Sequence, residues 1–433
     1  MKKNYQTKTA PAATAELLMP DTVAVAMGEL AETVREGLLA LAVGAGLQVM
    51  QVMMAESVTG LCGPKGQHDA ERKAVRHGTE DGSVTLGGRR VPVRRPRVRT
   101  ADGTAEVAVP AYDLFASTEL LGEMALQRMM AKLSTRRYSA GLEPVGTKVE
   151  ATARSTSKSA VSRRFVAATE SALATMLAAD LSELDLVALM IDGVHFADHL
   201  CVVALGIGID GTKHPLGVVE GDTENTTVVK DLLVGLRDRG LDTTRPILCV
   251  LDGAKALVAA VQAVFDHPVI HRCQLHKVRN VESKLPKALA STVAKKMRAA
   301  YHDPDALGAE ATLEALARSL EKKHPGAAGS LREGLFDTLT VSRLGVPPTL
   351  ARSLRSTNAV ESMIEICRDH STNVKRWRDG QMALRWCAAG MGEASKQFRR
   401  VNGFLHLPAL RSALEAHVHG TVAPECDDDE VAA

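Results

Sequence analysis

Two aspartates stand at matching places in this chain. Each follows an apolar run and precedes a glycine: Asp192 in LDLVALMIDGV and Asp252 in RPILCVLDG, 60 residues apart. Short apolar runs bounded by turn residues read as buried strands. Helical crossovers between them make the two strands parallel, which brings their C-terminal ends to the edge where open α/β sheets build sites. Two carboxylates held there repel each other unless a cation lies between them. Hard oxygen ligands suit Mg²⁺ or Mn²⁺. A pair of such ions about 4 Å apart can activate a water or a 3′-hydroxyl and stabilise the leaving oxygen of a phosphodiester. That chemistry needs a third carboxylate, and Glu361 in RSTNAVESMIEICRD is the best candidate, with Glu365 one turn further as the reserve. The bland alternatives are specific. A single Asp-Gly is a strand-ending turn, and Asn358 with Glu361 is a helix-capping pair.

The elements that must position these acids begin after Asp180. Three apolar strands joined by short turns (the second turn at Asp210-Gly211) are followed by helix TTVVKDLLVGLRDRG, strand RPILCVLDG, helix AKALVAAVQAVF and strand HPVIHRC. The turns make the first three strands antiparallel, and the crossovers make the later ones parallel to the first. The fold class expected is an α/β core with a mixed five-stranded sheet and flanking helices. Its first part is 181–275 and its last part 351–415. Between them 276–350 is all-helical, broken at Pro286, Pro304, Pro325 and Pro347-Pro348. Residues 373–400 read as a basic helical tail to the core, with Arg376 and Arg378 flanking Trp377 as candidate DNA contacts or as part of a solvated basic helix.

The N-terminal part, 21–180, reads as mainly helical and DNA-binding. Residues 1–20 are Ala/Thr/Pro-rich and expected to be flexible; 416–433 form an acidic tail. Residues 83–99 read as a hairpin turning at Gly87-Gly88, interrupted at Pro96. Its six arginines, Arg89, Arg90, Arg94, Arg95, Arg97 and Arg99, suit either phosphate contact or a solvated edge strand. Residues 146–170 read as helix-turn-helix-like, with Lys158, Arg163 and Arg164 available to phosphate. Aromatic residues are only 3% of the 433, which argues against base stacking on single strands, and a net charge of +2 excludes a polycation. Seven scattered cysteines suit reduced thiols rather than a disulfide framework. No apolar run is expected to span a membrane, and MKKNYQTKTAPAATAE lacks the apolar region of a secretory signal.

Taken in order, MIDGV, CVLDGAKAL, HRCQLHKVRN, RSTNAVES and NVKRWRDGQMALRW resemble the Mutator-type bacterial insertion-sequence transposases. The resemblance covers roughly residues 30 to 410. It implies an RNase H-like core carrying an Asp-Asp-Glu triad, here Asp192, Asp252 and Glu361, that binds Mg²⁺ or Mn²⁺. The 109 residues between the second and third acids match a helical insertion. The family's Cys-x-x-His pair falls on Cys273 and His276, which by spacing are half of a zinc site. With no second close pair beyond the nearby His267 and His271, a supporting role behind the acids is expected. Members often carry a tryptophan in the helix after the third strand; TENTTVVKDLLVGL has none. The implied partners are double-stranded DNA (the element's terminal inverted repeats and target DNA) and a second copy, as a homodimer or larger synaptic assembly, in a bacterial cytoplasm at the nucleoid without a membrane. The implied reaction is strand cleavage followed by strand transfer. The competing readings are a nuclease of the same fold that never joins strands, and a non-catalytic DNA-binding regulator derived from a transposase.

Overall fold

The computed structural model describes residues 21–67, 69, 71–143, 145–221 and 225–421. The expected flexible start and most of the acidic tail lie outside them. Two compact units emerge, one of residues 1–124 with 136–161 and one of 125–135 with 162–433.

In the first unit, helix α1 (Asp21–Cys62) precedes a three-stranded antiparallel sheet of β1 (Ala74–Leu86), β2 (Arg89–Thr100) and β3 (Glu106–Val107). Gly87 and Gly88 turn the hairpin at φ of +54° and +74°, the conformation a two-residue hairpin loop demands. Pro96 does not interrupt β2. It sits opposite Thr79 beside a register shift in β1, which absorbs the missing donor. Val98 is buried with Val58 and Cys62 of α1. The opposite side of α1 is apolar too: Leu38, Leu41, Val49 and Val52 are exposed, Leu41 at 70%. By length and composition alone the stretch Ala40–Cys62 is long and apolar enough to cross a membrane, a test that one helix of a protein without a membrane span also passes. Short helices α2 (Pro110–Ala116), α3 (Glu119–Met130) and α4 (Thr147–Thr152) follow.

Helix α5 (Lys158–Ala178) carries its chain into the second unit from residue 162. There Phe165 stacks against Trp386 at 4.6 Å, Thr169 accepts from Arg385, and Leu173 joins the main core. The short helix, turn and longer helix read from sequence are present as α4 and α5; α5 buries one face, and Lys158, Ser162 and Arg163 on its N-terminal turns are exposed. The sheet of this unit has the order β6-β5-β4-β7-β8, with β4 (Leu186–Phe196), β5 (His199–Gly208), β6 (Lys213–Gly221), β7 (Ile247–Leu251) and β8 (Pro268–Arg272). β4, β5 and β6 pair antiparallel; β4, β7 and β8 pair parallel. This is the mixed five-stranded sheet expected.

Side chains alternate between two cores, as strand periodicity requires. Ala188, Met190, Leu248 and Val250 face one cluster, shared with α15 (Asn358–His370), α16 (Gly380–Ser395) and α17 (Leu407–Thr421). Leu189, Ile191, Cys249 and Leu251 face the other, covered by α6 (Thr226–Asp238) and α7 (Lys255–Val264).

Between β8 and α15 run α8 (Gln274–Glu282), α9 (Lys287–Tyr301), α10 (Ala306–Glu321), α11 (Pro325–Arg332), α12 (Leu335–Thr338), α13 (Thr340–Arg343) and α14 (Pro348–Leu354), without a strand. Each proline flagged in the sequence lies at a helix boundary, as a missing donor dictates. α8 to α12 build their own core around Val281, Met297, Leu313 and Leu331. A fully buried lysine ties it down: Lys277 Nζ donates to the carbonyls of Ser330, at 2.6 Å, and Glu333. Lys277→Met leaves those carbonyls unpaired in the interior, a loss of about 1–3 kcal/mol. We expect the variant to show faster proteolysis within 276–350 while hydrogen exchange in the sheet strands is unchanged; uniform loosening of both would contradict a separate insertion core.

Candidate active site

Asp192 does not end its strand. β4 runs on to Phe196, and Asp192 pairs with Val203 of β5 while Gly193 pairs with Val202, so the Asp-Gly here is not a turn. What ends at this level is the parallel neighbour. β4 and β7 pair as Ala188 with Leu248 and Met190 with Val250, an offset of 60 residues. The same offset carries Asp192 onto Asp252, the first residue past β7. Both are two residues beyond the last paired positions, so alternation sends both toward the core face that α15 covers.

The two carboxyls are anchored by backbone. Asp192 Oδ1 accepts from Gly193 N at 2.8 Å, and Asp252 Oδ1 accepts from Ala254 N at 2.7 Å. The second anchor depends on Gly253, at φ of +97° with Arg272 against its α-carbon, where any Cβ would lie 2.0 Å from Nε. Glu361 projects from the first turn of α15. Thr357, not Asn358, precedes the helix, and no capping pair forms between Asn358 and Glu361. Instead Thr357 Oγ1 donates to Glu361 Oε1 at 2.7 Å. Asp192, His276, Arg279, Asn358, Glu361 and Glu365 line one open cleft of about 790 Å³. Glu365 is exposed at its side and Glu361 half-buried.

The electrostatics follow from this crowding. Burial pushes the Asp192 carboxyl up to about 6. The Gly193 hydrogen bond and His276 oppose that rise, and the charges of Asp252 and Glu361 add to it. His276 is pushed up to about 9, first by its hydrogen bond with Cys273, against burial, and then by Cys273, Glu361 and Asp192. Its Nε2 lies 3.7 Å from Glu361, and Arg279 lies 3.8 Å from the same carboxylate. Buried Cys273 accepts from Thr357 N at 3.4 Å. Burial alone would raise its thiol, but hydrogen bonds from His276 and Thr357 outweigh burial and lower it.

The tightest donor group in the cleft is therefore Cys273, His276 and Glu361, with ligand atoms within 4.8 Å of one another, rather than the three acids. It falls one donor short of a closed zinc site. His271 adds none: it is fully buried, held to Arg355 O at 3.2 Å and pushed down to about 4 by burial. Arg279 and Arg368 were missed in the sequence, although Arg279 lies one turn beyond His276 and Arg368 two turns beyond Glu361.

The arginine-rich strand is less free than its sequence suggests. Arg89 is 2% exposed and tied to Glu143 O and Glu150. Arg90 is bound to Ser83, Thr85 and Ala116. Arg94 pairs with Asp81, while Arg95 and Arg97 pair with Glu80 and Glu106, acids supplied by the facing strands. Arg99 bonds Gly103 O at 3.4 Å. Residues 373–379 are not helical; Asp379 caps α16 by accepting from Met382 N, and Trp377 stacks on Phe196 at 4.8 Å. Arg376 and Arg378 are exposed on that segment.

Residues 24–401 match the sequence profile of the family described as Transposase, Mutator family. The chain belongs to that family. Among its Mutator-family relatives is the transposase for insertion sequence element IS6120 of Mycolicibacterium smegmatis, 30% identical over 239 residues, which take in 54% of this chain and 72% of the relative. The transposase for element ISRM5 of Rhizobium meliloti is 25% identical over 365 residues, 84% and 89% of the two chains. That for IST2 of Acidithiobacillus ferrooxidans is 29% identical over 174 residues, 40% and 58%.

Because the Asp192 acid is raised above its ordinary value, folding favours its protonated form. That contribution to stability is complete below about pH 4 and is lost as pH rises through about 6. Asp192→Asn removes the charge. In chelator-treated buffer at pH 7.5 the variant should melt several degrees above wild type, and the gap should close at pH 4.5. An equal gap at both pH values would contradict the crowding.

Proposed function

We propose that this chain cuts and rejoins DNA, using Asp192, Asp252 and Glu361 to hold Mg²⁺ or Mn²⁺ in an RNase H-like core. The observation that carries the reading is the register of β4 and β7, which sets two aspartates at one level beneath the helix that bears Glu361. The donor set fits a hard divalent cation. Asp192 is half-buried, which raises its acid, with the charges of Asp252 and Glu361 adding to the rise, and carboxylate oxygens are what such a cation prefers. When bound, the ion supplies Lewis-acid activation of the attacking oxygen and charge stabilisation at the leaving oxygen.

The chain's own residues do the rest. Gly193 N and Ala254 N fix the two aspartates through their hydrogen bonds. Thr357 holds Glu361 at the cleft, where His276 and Arg279 lie beside it as counter-charges. Cys273 and His276 position Glu361 from behind. The cationic Arg279 and Arg368 on the cleft wall suit the phosphates of a strand entering it. The substrate is the pair of terminal inverted repeats of an insertion sequence, contacted in part by the N-terminal unit, with exposed Lys158, Arg163, Arg376 and Arg378 as further phosphate contacts. Holding two ends at once requires at least a homodimer.

With purified protein, Mg²⁺ and labelled element ends, wild type should nick the DNA and, given pre-cut ends, join them to a second duplex. Asp252→Asn and Glu361→Gln should each lower both activities by at least about a hundredfold while the DNA is still bound. Shortened products without joined ones would identify a nuclease, and unchanged activity in Asp252→Asn would end the proposal.

A further inference from the structure

A second cavity, of about 290 Å³, lies among α8, α9 and α14 and has no part in the chemistry described above. Three arginines (Arg298, Arg352, Arg355) and His302 line it beside Gln274 and Tyr301, and no acid does. Arg352 and Arg355 lie one helical turn apart on and just after α14, where like charges repel. Burial, and after it the charge of Arg352, holds the Arg355 guanidinium below its ordinary value. Arg355 spends one amino group on Tyr301 O at 3.0 Å, while its Nε is buried without a hydrogen-bond partner. Arg298 has Glu282 at 3.9 Å and is itself half-exposed. A pocket that gathers cations, excludes acids and keeps a guanidinium donor unused is built for an anion.

Its position says which anion. Gln274 follows Cys273 in the chain, and Ser356 precedes Thr357, so each of these two segments gives one residue to the cavity and the next to the group around Glu361. Consecutive Cα atoms are about 3.8 Å apart. Gln274 N donates to Arg355 O at 3.0 Å, which locks the two segments together. A DNA strand carries a phosphate roughly every 3.4 Å of helix axis. The cavity and the group around Glu361 thus lie on either side of one buried wall, and a strand whose reacting phosphodiester enters the cleft has further phosphates on either side of it.

We propose that the Arg298–Arg352–Arg355 cavity binds a backbone phosphate of the DNA strand within a few nucleotides of the reacting phosphodiester, and so sets which bond enters the cleft. This rests on the functional reading above. The test uses the full chain and a fluorescein-labelled duplex taken from the DNA immediately flanking the coding sequence. Single phosphates near the cut are replaced in turn by neutral methylphosphonates. Wild type should lose about tenfold in affinity at one or two positions. Arg352→Ala, whose side chain is exposed and whose melting should match wild type, should show that loss on unmodified DNA and no further loss at those positions. Its salt dependence should fall by about one phosphate contact. Arg352→Lys should retain most of the affinity, and inorganic phosphate at millimolar concentration should not compete.

An interference profile identical in wild type and Arg352→Ala overturns the proposal, as does competition by inorganic phosphate, which would assign the cavity to a free anion. Mg²⁺-dependent cleavage of the same duplex is followed in parallel. Cleavage with an unaltered Arg352→Ala profile removes only the phosphate site, whereas neither cleavage nor binding removes both readings.

Discussion

Everything at the cleft depends on the parallel pairing of β4 with β7. Hydrogen bonds between Ala188–Met190 and Leu248–Val250 fix the offset, and a slip of one residue would turn one aspartate to the opposite face of the sheet. The strands cannot slip cheaply because both faces are buried. Met190 and Val250 belong to one core, Ile191 and Leu251 to the other, and all four are fully buried. Apolar packing on two sides thus holds Asp192 at the level of Asp252, and burial there raises the Asp192 acid, with the charges of Asp252 and Glu361 adding to it.

The third acid is brought in by helix packing rather than by strand register. α15 lays Val360, Met363, Ile364 and Cys367 on the sheet, which leaves Glu361 and Glu365 on the flank of the helix that borders the cleft. The insertion between β8 and α15 has its own core and its own anchor in Lys277. It also contributes α8, whose first turns carry His276 and Arg279 to Glu361. One helix of the insertion therefore serves as a wall of the cleft.

The strands and crossovers were legible because each is a short apolar run closed by Gly, Pro or Asp, and the helical crossovers already made the later strands parallel to the first. Three features were not. The Asp192-Gly193 pair looks like Asp252-Gly253, yet one continues a strand and the other turns at φ of +97°; only the partner strand β5 tells them apart. The arginines of β2 looked unopposed because the acids that meet them, Glu80, Asp81 and Glu106, come from other strands. The buried face of α5 was not read either: Val161, Phe165, Thr169 and Leu173 recur along the same helix that carries Arg163 and Arg164. In each case the deciding partner lies on another element of the fold.

The most direct test of a cation held by Asp192, Asp252 and Glu361 is local backbone cleavage with Fe²⁺ in place of Mg²⁺. With ascorbate and peroxide, bound iron should cut the chain near residues 192, 252 and 361 together, and excess Mg²⁺ should suppress all three cuts. Cutting confined to the neighbourhood of 273, 276 and 361, with no fragment ending near 192 or 252, would contradict the account and give the metal to the cysteine–histidine cluster instead.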